Sequence, residues 1–156
     1  MGPFSEGKMT LHEGGVRVAA LARWPGMIPA GARTDQVAVT MDLTATFLAL
    51  AGASAPAAAP LDGIDLMPSL TGARGAVRRE LYWRIFQRRK QKAMRSGDWK
   101  YLQTDAGEFL YALGSDPGEK RDLREEQPAV FQQLKAKVAA WEREVLPPIP
   151  LDPARA

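Results

Sequence analysis

The sequence predicts a mixed α and β chain: the end of an α/β domain, then a small four-stranded antiparallel sheet packed on a long C-terminal helix. Three observations carry that expectation. Residues 16–24 are almost all apolar between a glycine loop and Pro25-Gly26, which fits a strand buried on both faces. Residues 80–115 alternate in polarity and are cut by Ser96-Gly97-Asp98 and Thr104-Asp105-Ala106-Gly107, turn signals at hairpin spacing. After Pro128, the residues Val130, Phe131, Leu134, Val138, Trp141 and Val145 recur at helical spacing, with Lys135, Lys137, Glu142 and Arg143 off that stripe.

Residues 1–6 read as a coil entering a polar loop over residues 7–15. That loop holds three glycines, Lys8, Glu13 and the only histidine, His12, so its backbone can take conformations open mainly to glycine. The apolar run 16–24 follows, broken by Arg17 and Arg23, and a turn-rich connection covers 27–31. A helix is expected over 37–52, with Leu43, Phe47, Leu48, Leu50 and Ala51 on one side. Thr40 or Asp42 can cap its start by accepting orphan amide hydrogens, and Gly52 stops it. Residues 53–60 form an alanine and proline linker, and residues 61–72 a turn with a short helix. The charged connection 73–79 is the best boundary, dividing residues 1–72 from a sheet-and-helix subdomain over 80–156. In that subdomain Leu81, Trp83 and Ile85 alternate with Tyr82, Arg84 and Phe86, and further strands are expected at 92–95, 99–102 and 108–113. Pro128 suits a first helical turn, whose amide is unpaired anyway, and Pro147-Pro148 ends the helix.

Composition bounds the function classes. At 156 residues a single domain buries roughly 70% of its unfolded surface, enough for a real core. The net charge of +3 comes from 21 basic residues mixed with 18 acidic ones. That balance permits an anionic partner but does not point to nucleic acid. There is no cysteine, hence neither a disulfide framework nor a thiolate metal site. No apolar run approaches the roughly 18 residues of a membrane span, so no membrane partner is expected.

Several stretches share one resemblance. Gly7-Lys8-Met9-Thr10-Leu11-His12-Glu13-Gly14-Gly15-Val16-Arg17-Val18, then Arg23-Trp24-Pro25-Gly26, resembles the segment that opens the last third of sulfatases, in the alkaline-phosphatase-like superfamily. The 42–52 helix is similar to that family's Asp-Leu-x-Pro-Thr helix, with Ala45 in place of proline, and Leu61-Asp62-Gly63 begins another matching element. Arg95-Ser96-Gly97-Asp98-Trp99-Lys100-Tyr101 and Leu110-Tyr111-Ala112-Leu113-Gly114-Ser115-Asp116-Pro117-Gly118-Glu119 complete the set. The departures are Ala19 where proline is usual and Asp122 where asparagine is favoured. The resemblance covers nearly the whole chain but only the C-terminal part of such an enzyme.

The resemblance implies that Lys8 contacts a sulfate oxygen. It also implies a formylglycine nucleophile and a calcium or magnesium ion in the intact parent. This chain has no cysteine, and Ser54-Ala55-Pro56-Ala57-Ala58 lacks the arginine of the Cys/Ser-x-Pro-x-Arg modification motif. The N-terminal catalytic portion is therefore expected to be missing, and the chain alone to bind no cofactor and to be inactive. Such a fragment is expected to expose apolar surface and to self-associate.

Each candidate has a plainer reading beside the functional one. A lysine in a glycine loop is ordinarily a solvated charge; the flanking match makes Lys8 a catalytic candidate. His12 stands where the family carries an aromatic, so packing competes with substrate binding. Arg17 either pairs with Glu13 to fix the loop or helps hold an anion. Arg88, in the basic run Arg88-Arg89-Lys90, is either part of a solvated hairpin or the rim of an anionic-substrate pocket. The reading is the C-terminal part of a sulfatase. The alternatives are a phosphodiesterase or phosphonate monoester hydrolase of the same superfamily, and a non-enzymatic remnant or interaction module.

Overall fold

The computed structural model describes residues 2–86 and 89–145. Its contacts divide the chain into two compact units. One is Ala20–Arg78; the other joins the segment before Ala20 to the segment after Arg78.

In the second of these, strands β1 (Glu80–Ile85), β2 (Gln91–Ser96), β3 (Trp99–Thr104) and β4 (Gly107–Ala112) form an antiparallel meander in sequence order. The register pairs Met94 with Tyr101 and Tyr101 with Leu110, so these three share one face of the sheet. Ala93, Leu102 and Phe109 line up in the same way on the opposite face. Helix α4 (Pro128–Glu144) starts at its proline and buries Phe131, Leu134 and Val138 against Met94, Tyr101 and Leu110. Trp141, on the same stripe, is only half-buried and stacks on Tyr82 with ring centroids 5.2 Å apart.

The other face is covered by the polar loop. Leu11 packs with Ala93, Leu102, Tyr111 and Leu113, and Val16 joins from a single turn of helix, α1 (Glu13–Val16). The open edge of β4 is closed by a turn: Leu110 donates its N–H to Asp122 Oδ1 at 3.1 Å, and Leu123 donates its own to the Leu110 carbonyl at 2.8 Å. Aspartate thus supplies the turn bond expected at position 122, and the edge offers fewer free groups to another strand.

The structure departs from expectation over residues 16–24. No strand forms there; Val16 ends α1, while Val18, Leu21 and Trp24 are exposed. The physical reason is pairing: a strand needs a neighbour's N–H and C=O groups, and the described strands pair only with one another.

Within Ala20–Arg78, helix α2 (Thr40–Leu50) forms where expected, but its buried residues are Asp42 and Thr46. Asp42 accepts the Val39 and Ile64 amides at 2.7 and 2.9 Å, and Thr46 Oγ1 accepts the Leu66 amide at 2.9 Å. A side chain on Gly63 would stand 2.3 Å from the Met41 carbonyl, so this approach needs glycine. Helix α3 (Met67–Leu70) follows. The inner face of α2 is therefore spent on polar links, and Leu43, Phe47 and Leu50 are left exposed.

Phe131 is 9% exposed, so Phe131→Ala should cost about 3–4 kcal/mol in a denaturant titration. The half-buried Trp141→Ala should cost less, about 1–2 kcal/mol, chiefly its stacking and partial burial. Equal losses would mean that α4 is rotated on the sheet.

The sheet also sets an acid limb. Burial raises the affinity of Glu108 for a proton, but hydrogen bonds from Lys135 and Tyr101 outweigh it and hold the carboxyl below its ordinary 4.5. A carboxyl lowered in the folded state stabilises fully above its unfolded value, and that stability is lost as pH falls through the folded one. Stability should thus decline below about pH 4.5, and Glu108→Gln should flatten that decline in pH-dependent unfolding.

Candidate functional site

Lys8 sits at the outer turn of the polar loop, exposed, with no ion pair or hydrogen bond to any described residue. Around it the backbone is tightly specified. The Thr10 N–H and Oγ1 both donate to the Gly7 carbonyl at 3.2 and 2.9 Å, and Gly14 donates to the Ser5 carbonyl at 3.0 Å. A side chain on Gly14 would lie 2.4 Å from the Ser5 and Glu6 carbonyls, and one on Gly15 2.2 Å from the Thr10 carbonyl. The Gly-Gly pair is there because backbone crosses backbone. Glu6 and Met9, on either side of Lys8, take φ of 58° and 73°, a left-handed conformation that side chains disfavour.

Beneath the turn lies a buried ion cluster. Lys100, the second residue of β3 and 1% exposed, places Nζ 2.8 Å from Glu13 Oε1 and 2.8 Å from Glu119 Oε1. Glu13 in turn donates its backbone N–H to Glu119 Oε2 at 2.7 Å. Burial of an ammonium is tolerated only with such partners, because removing a charge from water costs several kcal/mol. The neighbouring Tyr111 hydroxyl feels the same surroundings: burial first, then the Glu119 carboxylate, push it up to about 12. Beside the cluster, Leu11 donates its amide to the buried Gln91 Oε1 at 2.8 Å.

The other predicted residues divide. His12 precedes α1 half-buried, with its Nδ1 sealed from solvent and unpaired among the described residues. Arg17 lies half-exposed over the Phe4 ring at 4.9 Å, its guanidinium 3.9 Å from Glu13 Oε2. The Glu13–Arg17 contact therefore exists, but Glu13 pairs more closely with Lys100. Arg88 lies outside the described residues. Lys100, Glu119 and Gln91 were given no role by sequence reasoning. Their signals were present: a lysine inside the apolar run Trp99-Lys100-Tyr101-Leu102 and a glutamate closing the Asp-Pro turn.

Residues 5–144 match the profile of a family described as N-sulphoglucosamine sulphohydrolase, C-terminal. N-acetylgalactosamine-6-sulfatase of Canis lupus familiaris is 46% identical over 53% of this chain and 16% of its own length. Arylsulfatase A of Homo sapiens is 36% identical over 83% of this chain and 31% of its own. The crystal structure of Ps i-CgsB superposes with a TM-score of 0.80 at 30% identity, over 89% of this chain and 32% of that one. The chain thus spans less than a third of these relatives.

The glycine geometry is directly testable. Gly15→Ala should cost about 1–3 kcal/mol, the scale of forced overpacking, because its contact is with backbone carbonyls that cannot rotate away. Differential scanning calorimetry should show a lowered Tm. An unchanged Tm would mean that the loop does not cross itself as described.

Proposed function

We propose, because the chain belongs to the family of N-sulphoglucosamine sulphohydrolase C-terminal domains, that it serves as the C-terminal portion of a longer sulfatase and presents Lys8 to the sulfate group of an ester. The observation that carries the proposal is Lys8 itself: an ammonium without a partner among the described residues, on a turn whose backbone is held from beneath. A cation carried on a backbone that is held before substrate arrives can stabilise charge developing on a sulfate oxygen with less reorganisation during the reaction. His12, Arg17 and Arg88 remain the substrate-binding candidates, with Arg17 half-exposed beside Glu13.

The family's formylglycine and calcium or magnesium ion do not fit the residues at hand. No group of three histidine, aspartate or glutamate side chains among the described residues could hold a metal, and the chain has no cysteine. These groups would supply the nucleophile and its activation from elsewhere in the longer protein, so no step is assigned to them here.

In that protein, residues 1–72 would complete the α/β domain, 73–79 would link, and 80–156 would form the small subdomain. The exposed Val18, Leu21 and Trp24, together with Leu43 and Phe47 of α2, would be covered by the rest of the chain. Left uncovered, they favour self-association.

The 156-residue chain should show no turnover of an aryl sulfate, with or without calcium or magnesium. In the longer enzyme, Lys8→Ala should lower kcat by about 10²–10³, the scale of losing one preorganised charge-stabilising group. Metal-dependent turnover by the chain alone would defeat the proposal, and an unchanged kcat would remove Lys8 from the site.

A further inference from the structure

We infer that the buried Lys100–Glu13–Glu119 cluster positions Lys8, which makes these three positioning residues for the sulfate contact; the inference rests on the reading of Lys8 given above. The connectivity shows how. Both ends of the turn that carries Lys8 are tied to one short stretch, residues 118–119. At the leading end, Ser5 Oγ donates to the Gly118 carbonyl at 2.6 Å. At the trailing end, Glu119 accepts the Glu13 amide at 2.7 Å, while Lys100 bridges the two carboxylates from the sheet. Gln91 accepts the Leu11 amide from the start of β2. The turn is thus clamped at its two feet and left open only at its outer side, where Lys8 stands.

Two further observations favour positioning over simple stabilisation. Among the described residues, the non-glycine positions with left-handed φ are Glu6, Met9 and Glu119. Two flank Lys8 and the third is in the clamp. Such conformations persist only where the surroundings over-determine them, and they gather at sites that must be preorganised. Second, a buried ion cluster is a poor way to stabilise a sheet face, since well-packed apolar residues generally do so as well or better. What the cluster adds is a fixed geometry: carboxylates from two separate segments must meet one ammonium, which a sliding loop cannot satisfy.

The test has two arms. In the 156-residue chain, Glu119→Gln leaves one oxygen to serve both Glu13 N–H and Lys100. Hydrogen exchange at the amides of Thr10, Leu11 and Glu13 should then speed up about tenfold or more, with Met94 and Leu102 unchanged. Should that variant not fold, Gln91→Met removes the acceptor of Leu11 without stranding a charge, and the same loop-confined acceleration is expected. Unchanged loop exchange in the folded variant overturns the inference.

In the longer enzyme, Glu119→Gln should lower kcat for an aryl sulfate about 10-fold to 100-fold, the cost of a misplaced group. In a Lys8→Ala background it should cost nothing further. A residue that merely stabilises the fold would lower both backgrounds alike, so additive losses overturn positioning even if Lys8→Ala is slow. A Lys8→Ala enzyme with unchanged kcat overturns the sulfate contact itself, and this inference with it.

Discussion

The sheet depends on a lysine that cannot reach water. Lys100 is the second residue of β3, on the face turned away from α4, and is 1% exposed. Its burial is tolerable only while Glu13 and Glu119 both stand at 2.8 Å. Glu13 comes from a segment 87 residues earlier in the chain. The constraint is therefore long-range: the polar loop must be docked before the sheet can be complete. Once it is docked, Leu11 and Val16 follow it onto Ala93, Leu102 and Tyr111.

The two faces of the sheet consequently rest on different physics. The α4 face is apolar in the ordinary way, Met94, Tyr101 and Leu110 meeting Phe131, Leu134 and Val138, and tolerates conservative hydrophobic exchange. The loop face mixes a modest apolar patch with a charge cluster and an amide acceptor, Gln91. Removing one member of a buried cluster strands the others, so this face tolerates change poorly. A face built in this way is stiff where the first is adaptable.

Local signals explain what was legible in the sequence. The four strands and α4 were readable because alternation, hairpin turns and a proline-started stripe act over a few residues. The run 16–24 forms no strand in this chain because strand pairing is non-local: its apolar residues were expected to pair within a larger sheet, and without those neighbours they are exposed. Helix α2 was placed correctly, and the cap expected of Asp42 forms at the Val39 amide; the further links to residues 64 and 66 were not legible. Asp42 and Thr46 face inward because they also accept the amides of Ile64 and Leu66, a demand that hydrophobic periodicity does not register. Lys8 could be singled out only by resemblance, since an exposed lysine carries no signature of its own. Lys100 lay in plain view inside an apolar strand, but its meaning required Glu13 and Glu119, which the sequence leaves far apart.

The charge arithmetic of the cluster bears on what Lys8 can do. Two carboxylates face one ammonium, and the Arg17 guanidinium, 3.9 Å from Glu13 Oε2, makes up the difference. The support beneath the turn is thus close to neutral as a whole. A net negative support would draw the Lys8 ammonium inward and compete with an arriving anion; a net positive one would repel the lysine and raise the cost of holding the turn. A balanced cluster does neither. It holds the backbone through the Glu13 amide on Glu119 at 2.7 Å and the Lys100 ion pairs at 2.8 Å, apart from the exposed Lys8 ammonium. On the proposed reading, positioning and charge would fall to different residues of one loop: Glu13 as the anchor, and the exposed Lys8, five places earlier and outside the clamp, as the group offered to the sulfate.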